Sequence, residues 1–131
     1  MKIKTSDLTL LALDWAVAEC EGMDIEIRPA GACGRPLYVL AAEAGRTPWT
    51  WTPTTSWHQA GPIIEREGIA IDVVRAGWTI DSWVAALVHE DKEFDGVARA
   101  EEYGPTPLIA AMRCYVASKL GDEVDIPEEL Q

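Results

Sequence analysis

Asp91, Glu93, Asp95, Gly96 and Glu102 fall in the register of a calcium-binding loop. Oxygen ligands at alternating positions can converge on one hard cation, glycine permits the sharp turn, and a glutamate in the twelfth position closes the shell. Calcium or magnesium is the ion this chemistry would take; no other cofactor is indicated. Three departures weigh against it: Glu93 is longer than the usual aspartate or asparagine, Ala98 stands at position eight, where an aliphatic side chain would pair two loops, and the preceding segment reads as a strand or frayed helix. A chain with 22 acidic residues produces such matches readily, so a solvated acidic loop is the competing reading of residues 89–102.

Other reactive groups are sparse. The two histidines, His58 and His89, lie outside HExxH spacing and beside no cysteine. Asp72 and Asp81 could share a proton if they faced each other across a hairpin, but the register is not set by the residues alone. Neither GxGxxG after a strand nor GxxxxGK[ST] occurs, so a glycine cradle for phosphate has no support. No catalytic residue is assigned, and an enzyme is the less favoured reading.

Aromatic residues offer a different function. Trp49, Trp51, Trp57 and His58 crowd one polar stretch and form a candidate contact patch for a protein, sugar or base. Trp15, Trp78 and Trp83 lie on apolar stripes and are expected in the core. Ser56 is expected to cap a short helix ended by Gly68 and anchored by Trp57, Ile63 and Ile64. Gly61 and Pro62 in its middle should kink it, and the bend should make Gly61→Val destabilising.

The elements that must position these residues follow from periodicity. A first helix begins at Thr5 or Ser6, with Asp7 in its first turn, carries Leu8, Leu11, Ala12, Trp15 and Ala18 on one stripe, and stops at Gly22. Leu10, Leu13 and Val17 form a second stripe, so the helix is covered on more than one side. Alternating residues 25–28 and the apolar run 37–41 form one hairpin, and residues 69–75 and 78–85 form another around Gly77. Residues 45–55 read as a loop, and 97–103 as a short helix. Thr106 and Pro107 open a helix running from Leu108 to Leu120, closed by Gly121.

That order predicts an α+β fold, helix-strand-strand-helix-strand-strand-helix, with one four-stranded, mainly antiparallel sheet covered by helices. Residues 1–121 make one domain and 122–131 an acidic tail expected to fray. At 48% apolar residues the 131-residue chain can build a core, and its formal charge of −11 disfavours direct binding of nucleic acid or anionic membrane. An acidic surface can also imitate DNA and block a DNA-binding protein, which is a third functional reading. Cys20, Cys33 and Cys114 form no CxxC pair, so reduced thiols in a cytoplasm are expected. The amino terminus lacks a signal peptide's apolar block, and no run is long enough to span a membrane.

Three segments carry a resemblance: Leu13-Asp14-Trp15-Ala16-Val17-Ala18, Ser56-Trp57-His58-Gln59-Ala60-Gly61-Pro62-Ile63-Ile64-Glu65-Arg66-Glu67, and Thr106-Pro107-Leu108-Ile109-Ala110-Ala111-Met112-Arg113-Cys114-Tyr115-Val116. Together they resemble the phage nin-region protein X family, small phage and prophage proteins with a Trp-x-x-(Ala/Gly)-Gly-Pro-Ile-Ile core and no assigned activity. The resemblance implies a phage-encoded accessory protein in the bacterial cytoplasm and transfers no catalytic residue or cofactor. Combined with the tryptophan patch, it points to a non-enzymatic module that binds a host or phage protein, possible also as a homodimer; a small metal-binding protein or enzyme using residues 89–102 is the alternative.

Overall fold

The computed structural model describes residues 1–28, 38–42, 49–91 and 96–130. Its strands are β1 (Lys2–Lys4), β2 (Asp24–Arg28), β3 (Tyr38–Ala42), β4 (Trp49–Thr50), β5 (Ala70–Ala76), β6 (Thr79–Asp91), β7 (Gly96–Gly104) and β8 (Glu123–Asp125). The helices are α1 (Leu10–Glu21), α2 (Trp57–Glu67) and α3 (Pro107–Leu120). The class is α+β, as expected, but the strands form three antiparallel sheets: β1-β8, β2-β3-β4 and β5-β6-β7. Each expected hairpin recruits its own third strand, which satisfies its exposed edge locally and removes the need to merge with the other.

β7 replaces the helix expected over residues 97–103. Its side chains alternate: Ala100 and Gly104 are buried on one side, while Val97 and Tyr103 are exposed on the other. The alanines read as helix formers, yet here they keep the sheet surface flat beneath α3. Gly104 shows how close the approach is, since a Cβ there would lie 2.7 Å from the Ala110 backbone nitrogen.

α1 also starts later than expected. The Thr5 hydroxyl donates to the Gly121 carbonyl at 2.6 Å, so it is used at the end of α3 rather than as a cap. A 3-10 turn over Thr5–Asp7 intervenes, and Thr9 precedes α1. Ala12, Leu13, Ala16, Val17 and Ala18 of α1 are buried together with most of α3 from Leu108 to Val116. Burying each larger aliphatic chain stabilises by about 1.5–3 kcal/mol.

The acidic tail does not fray at its start. Lys2 pairs with Asp125, Ile3 with Val124 and Lys4 with Glu123. Val124 and Ile126 are buried and hold the ribbon in place, whereas the exposed ion pair from the Met1 ammonium to Asp125, 3.1 Å, adds little. Among the described residues no helix is long and apolar enough to cross a membrane.

Candidate functional site

α2 is built as a platform. The Ser56 hydroxyl accepts from the Gln59 amide at 3.4 Å, and the Gln59 side chain turns back to the preceding segment. Its Oε1 accepts from Thr52 N at 2.6 Å and its Nε2 donates to the Thr50 carbonyl at 2.9 Å. Gly68 ends the helix at φ 67°, its amide and that of Ile69 closing on Glu65 and Ile64, a left-handed cap that glycine adopts without strain. Ala60 and Ile63 face the core. The helix runs through Gly61-Pro62 without interruption, from Trp57 to Glu67.

A second set of contacts fixes the approach to α2. The buried Trp51 indole donates to the Asp14 carbonyl at 3.0 Å, and Thr54 N donates to Asp14 Oδ1 at 2.9 Å. Asp14 is 2% exposed. Burial raises its carboxyl from an ordinary 3.8 to about 6, only partly countered by the Thr54 hydrogen bonds. At the other end, Arg66 donates to both Glu21 oxygens, 3.1 and 2.6 Å, and the Tyr115 hydroxyl donates to Glu21 Oε2 at 2.5 Å. Burial pushes Glu21 upward, but the bonds from Arg66 and Tyr115 outweigh it and hold the carboxyl below its usual range. This link between α1, α2 and α3 escaped the sequence reading: its members are 45 and 94 positions apart, and nothing in local spacing marks them.

The expected aromatic patch is only partly assembled. Trp57 is 56% exposed and His58 is also exposed, side by side on the first turn of α2. Trp49 is half-buried on β4 against the core, and Trp51 is turned inward. The tryptophans assigned to the core divide as well: Trp15 and Trp83 pack against it, but Trp78 is 99% exposed at the tip of the β5-β6 hairpin. Its place in a two-residue turn next to Gly77, φ 64°, overrides the periodicity around it.

Gly61 stands one turn after Trp57, on the same helix face. Among the described residues, a Cβ at Gly61 would meet nothing within 4 Å. Steric crowding therefore does not require glycine here. Pro62, exposed beside it, has no N–H to give to the carbonyl of His58, four residues earlier. The outward surface of α2 thus combines an exposed indole, an open notch and a backbone acceptor lacking its helical donor. Ile63 is buried and Ile64 half-buried, so both anchor the platform rather than form its surface.

The expected calcium-binding loop falls partly outside the described residues. Residues 92–95, with Glu93 and Asp95, and the side chain of Asp91 lie outside the described residues. Glu102 sits on β7 opposite Ala85, whereas Asp91 pairs with Gly96. Six strand positions separate the two rows, about 20 Å. Burial raises the Glu102 carboxyl, with Asp122 adding to the shift and Arg113 opposing it. Among the described residues no cluster of three potential metal ligands occurs. Asp72 pairs with Val84, while Asp81 falls in the bulge between the Val74 and Arg75 pairings; the two carboxylates do not face each other. The described cysteines, Cys20 and Cys114, have thiols that burial pushes up to about 12, and both are protonated at neutral pH.

A cavity of about 530 Å³ lies between the ends of α2 and α3 and β6, lined by Glu67, His89, Glu90 and Lys119 among others. Lys119 already pairs with Glu67 at 3.4 Å. In comparisons with known proteins, residues 4–119 match the family described as Bacteriophage P22, NinX. No curated protein matches the chain.

Proposed function

The chain belongs to the NinX family of bacteriophage P22, and from that premise we propose that it is a protein-binding accessory module that docks a phage or host protein through the outward face of α2. The carrying observation is the pairing of a 56% exposed Trp57 with an open position at Gly61. Glycine inside a helix costs about 1 kcal/mol relative to alanine. Among the described residues nothing packs against the missing side chain, so these contacts give folding no gain in return. A local loss without a local gain is the mark of a residue kept for an external contact.

The notch lets a partner's backbone or side chain come close to the helix while the indole covers it, as large aromatics do at the centres of interfaces. Pro62, having no N–H, leaves the His58 carbonyl without its helical donor on the adjoining turn. A charge of −11 favours a neutral or basic partner surface and speaks against direct contact with nucleic acid or anionic lipid. The bacterial cytoplasm is the setting in which such a partner would be met.

The test is affinity capture from lysogenic or infected host lysate with three baits: the natural chain, Trp57→Ala and Gly61→Leu. One protein captured by the natural chain and lost with both variants, at matching thermal midpoints, is the expected result. Equal recovery with all three baits would remove α2 as the docking face.

A further inference from the structure

β6 carries an unbroken apolar run, Trp83-Val84-Ala85-Ala86-Leu87-Val88. A strand with one wet face alternates, whereas a continuous run belongs to a strand covered on both faces. Among the described residues one cover is present. Ala85 and Leu87 are buried on the side where α3 packs across β5, β6 and β7. Val84, Ala86 and Val88 point the other way, and Val88 is 66% exposed. Across the sheet the same face carries Tyr103 opposite Val84 and Val97 opposite Glu90, with Val97 71% exposed.

Charge defines the rim. Asp72 lies opposite Val84, Glu101 opposite Ala86, and Glu90 continues the β6 row. Arg99, beside Val88, is the cation among them and already pairs with Glu101 at 3.4 Å. An apolar strip is therefore bordered by a surplus of carboxylate.

We infer that this face docks an amphipathic helix of another protein, its apolar stripe on Val84, Ala86 and Val88 and its flanking lysines or arginines against Asp72, Glu90 and Glu101. The dimensions agree, since three strands span about 10 Å and a helix with its side chains is about 10–12 Å wide. α3 already covers the opposite face in this way. A second copy of the chain is the poorer occupant, because it would bring the same carboxylate-rich rim against its own kind. The surface is separate from α2 and does not depend on the reading of Trp57.

Fluorescence anisotropy with two labelled helical peptides of about 20 residues tests the assignment. Both carry the same leucine stripe, one flanked by lysines and the other by glutamates. The lysine peptide should bind the natural chain and Trp57→Ala alike, and the glutamate peptide should not. The charge-neutral double variant Val88→Asn/Val97→Asn should weaken binding about tenfold, the loss of about 1.4 kcal/mol of apolar contact. Asp72→Asn/Glu101→Gln should lower the salt dependence while leaving the thermal midpoint in place. Equal binding of the two peptides, or undiminished binding by the asparagine variant, overturns the proposal. So does a dimer of the natural chain in light scattering that the asparagine variant converts to monomer, because the occupant would then be a second copy.

Discussion

α2 and α3 begin from the same grammar and end in different roles. Each has a hydroxyl cap, Ser56 or Thr106, accepting from the amide three residues on at 3.4 or 3.2 Å. Each contains a proline, but Pro107 stands at the first turn of α3, where no helical donor is lost, while Pro62 lies in the middle of α2. α3 buries Leu108 through Met112 and Cys114 through Val116; α2 buries Ala60 and Ile63. Glycine separates them most clearly. Gly104 beneath α3 is required by a backbone 2.7 Å away, and Gly61 in α2 has open space. One glycine is required by packing against α3; at the other a side chain would meet no described neighbour.

The largest test of that contrast lies in α3. Met112 is fully buried, and Met112→Ala should cost about 2–5 kcal/mol in urea unfolding; a loss below 1 kcal/mol would mean that α3 is not the central packing element.

Next is the clamp that holds the approach to α2. Because Asp14 is raised from 3.8 to about 6 in the folded chain, its protonated form contributes about 3 kcal/mol that is fully present below pH 4 and lost as pH rises through 6. Asp14→Asn should therefore flatten the stability profile between pH 4 and 7 and exceed the parent at pH 8. A parallel profile for parent and variant would show that this carboxyl is not the titrating group.

Gly104→Ala should cost about 1–3 kcal/mol through overpacking against Ala110, read as a lower thermal midpoint. Gly61→Ala should do the reverse, raising stability by about 0.5–1 kcal/mol. If both glycine variants moved in the same direction, the distinction between the two helices would fail.

Much of this arrangement was legible beforehand. Thr106-Pro107, the apolar stripe to Leu120 and Gly121 located α3, and Ser56 and Gly68 bracketed α2, because caps and stops act within one turn of chain. Both hairpins were legible for the same reason. Of the candidate patch, Trp57 is exposed and Trp51 is buried; residue type and spacing could not divide them, because the turn of each ring depends on contacts such as the one from Trp51 to Asp14. Trp78 was placed in the core by periodicity, which cannot register a turn that carries the ring into solvent.

What the sequence determined by itself is local: residue pattern, caps, turns, charge and the family motif around Ser56 to Glu67. Tertiary structure decided how the strands divided into sheets, that residues 97–103 extend rather than coil, and that the tail joins β1. It also decided which tryptophan faces water and that Glu21, Arg66 and Tyr115 meet. Those outcomes depend on contacts between residues far apart in the chain, where side-chain size and partner geometry override local preference.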